Sequence, residues 1–273
     1  MGFLDWLLGK PGESNSAKQS NGTDISITPA SIPPVSVTPT SMVTDLRKAE
    51  CPSCHETLKK IPGAKTKCPH CGQYMYVRTR LKDRARIVVT EDEAEKIKEE
   101  WAIVGGAHAE YLAQKKEIEN EREVLKHRFG QEPSDNDVMW GVLTKRQLEA
   151  ALYKKWGLYR STRFEMAEIL RKEKRYKGAL DNYLEVCFID MNGIENKLDI
   201  DSDEMRTYQV FNPDSGYLAP GILSRVAKMA ENAGLEKSEL KQKVLENYKK
   251  LKDNFKFPLS PESCWGKLEH GIR

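Results

Sequence analysis

No run in the 273-residue chain approaches the roughly eighteen consecutive apolar residues of a membrane span, so integral membrane association is not expected. The start lacks the basic region, long apolar stretch and small-residue cleavage site of a secretory signal, which points to a cytoplasmic protein. Catalytic signatures are missing too. Gly105-Gly106 has no Lys-Ser/Thr after it to cradle a phosphate. There is no Gly-x-Ser-x-Gly elbow, no His-Glu-x-x-His and no paired-carboxylate arrangement that stands out. A non-enzymatic role is expected, with an enzyme site of unrecognised pattern in the helical part as the outlying reading. Apolar residues are also scarce, 39% against 31% charged, so part of the chain should lie outside any core. Neither sign of charge dominates, and 44 Lys plus Arg against 41 Asp plus Glu leave only +3.

That near-neutral total is unevenly distributed. Residues 46–90 hold eleven basic side chains and three acidic ones, a net +8. Residues 1–45 carry −2 and residues 91–273 carry −3. A single basic module is therefore concealed in the sum, and such asymmetry points to partners better than the total does.

Residues 1–10 form a short amphipathic segment in which Phe3, Leu4, Trp6, Leu7 and Leu8 cluster. At helical spacing they make an apolar face about two turns long, too short to fold alone. It reads either as a docking peptide for a groove or membrane interface, or as a terminus packing on its own protein. Myristoylation is not expected, since Trp6 stands where the signal needs Ser or Thr. Residues 11–45 are rich in Ser, Thr and Pro, and Pro29, Pro33, Pro34 and Pro39 block helix and ladder hydrogen bonds alike. The segment reads as a disordered linker.

Four of the six cysteines fall in a pattern, Cys51-Pro-Ser-Cys54 and Cys68-Pro-His-Cys71-Gly72. Two such pairs at this separation match a four-thiolate zinc site. Each pair makes a tight turn whose amides point at sulfur, and Gly72 can take the left-handed conformation that releases the chain. Four thiolates close the tetrahedron and leave no open position, so one Zn2+ of structural role is expected. Two disulfides are the alternative, but they need an oxidising compartment. His55 and His70 read as bystanders. After the second pair, Gln73 to Arg80 alternates as a strand does. Tyr74, Tyr76, Arg78, Arg80, Lys82, Arg84 and Arg86 share one phase, at about 6–7 Å intervals on a strand, near the phosphate spacing of one nucleic-acid strand. These seven are the candidate nucleic-acid-binding residues; electrostatic docking to an acidic protein and a solvated, charge-protected strand edge are the alternatives. Knuckles and strand over about 35 residues resemble a zinc ribbon. That family includes nucleic-acid binders, protein-binding adaptors and purely structural inserts.

From residue 91 the signals are helical. Thr90-Glu-Asp-Glu93 is a capping-box start for a helix that Gly105 and Gly106 end. A second helix is expected over roughly 107–128 and a third over Val138 to Trp156. Residues 160–193 resemble one tetratricopeptide-type helix pair: Met166, Ala167 and Leu170 fit its first helix, and Tyr176, Ala179, Tyr183 and Val186 its second. A tandem array is not supported, because Lys145 stands where the preceding unit needs a small residue, and an ordinary antiparallel pair in a larger bundle is the safer reading. Residues 194–218 read as a polar connection whose acidic stretch, Asp199 to Glu204, lacks the pattern of a calcium loop. Further helices are expected around Ile222–Met229, over Glu239 to Lys250, and after Ser260-Pro261. Cys187 and Cys264 read as buried small hydrophobes, and His108 and His127 as exposed.

Most of residues 48–270 resembles a bacterial or phage type of protein that joins a zinc ribbon to an α-helical domain, a likeness that brings no activity with it. The expected fold is mainly α, with a small N-terminal zinc ribbon of short β-strands before a multi-helix domain at 91–273. The expected function is a zinc-binding adaptor, its basic ribbon contacting nucleic acid with little sequence preference and its helices docking a protein. The alternative is an interaction scaffold in which the ribbon is purely structural.

Overall fold

The computed structural model describes residues 50–60, 62–63, 65–201 and 204–272. The amphipathic segment at 1–10 and the linker at 11–45 lie outside the described residues. The described chain is mainly helical, with few short strands, and divides into two compact units at Ala109 and Glu110.

In the first unit, β1 (Thr66–Lys67), β2 (Tyr74–Thr79) and β3 (Arg86–Val89) form an antiparallel sheet in the order β1-β2-β3. Lys67 pairs with Tyr74 and Arg78 with Ile87. Because strand side chains alternate, β2 serves two layers. Met75 packs with Cys51, Leu58 and Cys68, while Tyr76 packs on the opposite side with Val89, Ala94 and Ile97. Ala94 and Ile97 belong to α1 (Glu91–Val104), which starts at the expected capping box: the Glu93 amide donates to Thr90 Oγ1, and the Thr90 amide donates back to Glu93.

The second unit continues from α2 (His108–Phe129), which lies beside α3 (Asp135–Leu152). Glu121 is buried between them, paired with Lys145, and Arg146 reaches Glu117. The third helix begins one turn before the expected Val138, because Ser134 caps it by accepting from the Asp137 amide at 3.2 Å. The helices α4 (Trp156–Lys172) and α5 (Tyr176–Asn192) pack as a pair. Ala167 and Ala179 are fully buried, and so is Tyr183, whose hydroxyl donates to Glu168. α5 is the central element of the unit: Leu180, Tyr183, Leu184 and the run Val186 to Ile189 are all inaccessible. Around it lie α6 (Pro220–Asn232), α7 (Lys237–Phe255) and α8 (Pro261–Gly271), the last capped by Ser260 with Pro261 in its first turn.

One expectation is corrected. Residues 194–211 are not an irregular connection but a hairpin of β4 (Ile194–Asp201) and β5 (Glu204–Phe211), in register from Ile194 opposite Phe211 to Asp201 opposite Glu204. Its base is anchored in an aromatic cluster: Phe211 stacks on Trp156 at 5.5 Å and meets Phe257 edge-on at 4.8 Å. Gln209 adds a polar tie by accepting the Gly157 amide at 2.9 Å. The polar composition that suggests a loop belongs to a hairpin.

Candidate metal centre and the basic face beside it

The two cysteine pairs fold into matching turns. His55 N–H donates to Cys51 O at 2.9 Å, and Gly72 N–H donates to Cys68 O at 3.0 Å. The amides of Ser53 and His70 approach the sulfurs of Cys51 and Cys68, each at 3.4 Å. Cys51 N–H reaches Glu56 O and Cys68 N–H reaches Gln73 O. Both turns exit through a left-handed residue, His55 at φ 59° and Gly72 at φ 74°. His55 therefore stands where the other turn has glycine, and asparagine-like tolerance of that region lets a histidine hold it.

The turns bring Cys51, Cys54, Cys68 and Cys71 together with every Sγ within 4.8 Å of the others, a group able to hold a metal ion. Cys51 to Cys71 and Cys54 to Cys68 are each 3.8 Å apart. A regular tetrahedron with such edges has its centre about 2.3 Å from each corner, the length of a zinc–thiolate bond. The donor set fits. None of the six cysteines is in a disulfide. Cys51 is a readier anion than Cys54. For Cys51, burial opposes ionisation, but the Cys54 and Ser53 amides outweigh it and lower the thiol to about 7. At Cys68 the Cys71 amide does most to lower the thiol, against burial. Cys54 moves the other way, to about 12: the Glu56 amide favours its thiolate, but burial and the neighbouring sulfurs prevail.

The seven candidate nucleic-acid residues do not share one strand. Tyr74, Tyr76 and Arg78 lie on one face of β2, but β2 ends at Thr79. There Arg80 N–H bonds Ala85 O at 2.9 Å and the chain turns through Arg84 at φ 57°. Asp83 drives the turn, since its carboxylate accepts from the Ala85 amide at 3.1 Å and from Arg80 Nε at 3.0 Å. Arg84 lies over the Trp101 ring at 4.2 Å, and that indole donates to Thr79 O at 2.8 Å. Arg86 resumes in β3 and reaches Gly63 O at 3.2 Å; Lys82 is exposed in the turn. Tyr76 is buried and its hydroxyl donates to Glu91. Only Tyr74, 49% exposed, offers a ring to solvent from the expected row.

Two lysines absent from that row complete the face. Lys67 is the cross-strand neighbour of Tyr74, and Lys65, two residues earlier, shares its phase. Lys65 Nζ lies 4.6 Å from the Tyr74 ring and 4.8 Å from that of Tyr76; Lys67 Nζ lies 5.1 Å from Tyr74. The Tyr76 hydroxyl, together with nearby Glu91, holds the Lys65 ammonium above its usual range.

In the second unit, a cleft of about 180 Å³ is lined by Arg163, Asp181, Asn182, Glu185, Asn247 and Lys250. Its groups serve one another. Arg163 reaches Asn182 at 3.0 Å and Glu185 at 2.5 Å, and Asp181 accepts from Asn247 at 2.8 Å and Lys243 at 2.6 Å. Cys187 and Cys264 are buried, and burial raises both thiols. His127 is exposed, whereas His108 contacts Glu99 at 3.1 Å, a partner nine residues back that no sequence pattern announced. Among the described residues, no helix is long and apolar enough to cross a membrane. Comparison with protein-family models, with curated proteins and with solved structures returned no match to this chain, so neither the zinc-ribbon nor the tetratricopeptide likeness gains support from relatives.

Proposed function

We propose that the chain is a non-enzymatic zinc-binding adaptor of the cytoplasm. In this reading Cys51, Cys54, Cys68 and Cys71 hold one structural Zn2+, the basic ribbon touches nucleic acid with little sequence preference, and the helical unit docks a protein partner. The observation carrying it is that the four-sulfur cluster and an exposed basic and aromatic face are the two sides of one small sheet. When bound, zinc supplies folding free energy and no chemistry, since four sulfurs leave it no open position. The chain's own residues do the rest. Met75 ties the sheet to the sulfurs, and the opposite side presents Lys65, Lys67 and Tyr74.

Among the described residues, no helix with base-reading side chains accompanies this face, so binding is expected to be weak, sequence-tolerant and steeply salt-dependent. Fluorescence anisotropy of labelled oligonucleotides at two salt concentrations tests it. Binding at low salt that collapses at high salt is expected; no binding at low salt ends the reading. The scaffold reading would then stand in its place. It is favoured by a specific observation, that Tyr76 is buried with its hydroxyl on Glu91 and Arg84 is occupied on the Trp101 ring, contacts that tie the module together.

A further inference from the structure

The sheet of the first unit has one face whose cover is incomplete. α1 lies over Tyr76 and Val89 through Ala94 and Ile97, but its cover does not extend to the β1 edge, where Tyr74 remains half exposed. The flanking Lys65 and Lys67 are themselves exposed, and β1 is an edge strand. The ring of Tyr74, on β2, lies beside two cations next to the edge strand. Duplex nucleic acid keeps its bases stacked on each other and offers only phosphates to such a face. A single strand offers phosphates and an unpaired base together.

Resting on the nucleic-acid reading above, we propose that Lys65, Lys67 and Tyr74 form a subsite for one unpaired nucleotide of a single strand. The base stacks on the Tyr74 ring, and the adjoining phosphates take up the two ammonium groups, which leave the ring face for the anions. The cation–ring contacts are the resting state of the site: each lysine is held over the ring at 4.6 to 5.1 Å, Lys67 exchanges that contact for a full negative charge, and Lys65 swings to the phosphate from its contacts with Tyr74 and Tyr76. Arg80, Arg84 and Arg86, engaged with Asp83, Trp101 and Gly63, contribute only to the general field. The Tyr74 hydroxyl has no part in the contact, so a Phe or Trp ring serves as well.

The test uses the full chain, loaded with zinc, and a short oligonucleotide carrying 2-aminopurine, single-stranded or annealed to its complement. Expected are tighter binding of the single strand, quenching of 2-aminopurine by stacking, and a loss of about tenfold on Tyr74→Ala, with Tyr74→Trp retaining affinity. Lys65→Ala with Lys67→Ala should lower the slope of log K against log salt by about 0.7 for each lysine. Zinc content, measured on every variant, shows that the fold persists. Unchanged affinity in Tyr74→Ala, or equal affinity for duplex and single strand, overturns the subsite while leaving the broader reading intact. Absence of all binding in the unaltered chain overturns the broader reading as well. An acidic peptide that displaces the oligonucleotide at lower concentration overturns both and assigns the face to a protein.

Discussion

Replacing Cys68 by serine removes one corner of the sulfur tetrahedron and leaves a hydroxyl that is a poor ligand at neutral pH. The consequence follows from how little else holds the region. Apart from cysteines, Leu58 and Met75 are the buried members of this cluster, with Val88 packed at its side. Burying two such side chains contributes about 1.5–3 kcal/mol each. A structural zinc contributes on the order of 10 kcal/mol or more. The ordering entropy of residues 50–80 exceeds what these two return even with Tyr76 and Val77, also buried, added to them, so the metal decides whether the module folds. Cys68→Ser is therefore expected to bind no stoichiometric zinc and to expose residues 50–80 to trypsin, which has Lys59, Lys60, Lys65 and Lys67 to cut at. The helical unit, with its separate core around α5, should melt at an unchanged temperature. Zinc release measured by a chromogenic chelator, alongside limited proteolysis and thermal circular dichroism, reads all three. One zinc per chain retained at native affinity in the variant would refute the ligand assignment. Resistance of residues 50–80 to trypsin after chelation would refute the energetic argument.

Other outcomes concern the helical unit. Burial raises the Glu165 carboxyl to about 7, with Arg146 only partly opposing. Its folded pKa thus exceeds the unfolded value of about 4.3, so stability present below that value is lost as pH climbs through 7. Denaturant melts at pH 4 and pH 8 should show Glu165→Gln nearly neutral at the lower pH and stabilising at the higher, on the order of 2 kcal/mol; equal effects at both would disprove the account. Gly193→Ala should lower the stability of this unit by about 3 kcal/mol or more, because Gly193 has φ 63° and a Cβ there would sit 2.1 Å from Asn212 O. An unchanged melting temperature would show that the junction between α5 and the hairpin can give way.

The cysteine turns and the Thr90 cap were legible because their determinants are local: spacing, a proline, a glycine, an acid three residues on. The phase of Tyr74, Tyr76 and Arg78 was legible for the same reason. The end of that phase was not, since it depends on Asp83 closing a turn with Arg80 and Ala85 rather than on alternation. Lys65 and Lys67 were missed because their place beside Tyr74 comes from pairing across the second cysteine turn. The geometry of that turn could have supplied the signal: Lys67 and Tyr74 flank Cys68 and its knuckle as Glu50 and Thr57 flank Cys51. The hairpin at 194–211 is not legible because its composition is polar, and its anchoring to Trp156, Phe255 and Phe257 joins residues far apart in sequence.

The two-layer duty of β2 bears on how this module can change through descent. With a side-chain period of two, inserting one residue between Gly72 and Met75 would send Met75 away from the sulfurs and drive Tyr74 toward them. Metal site and outer face would fail in a single event. The turn from Arg80 to Ala85 carries no such phase, and extra residues there leave both faces in place. Length variation among descendants of this chain should therefore collect in that turn, while the strand keeps a fixed count.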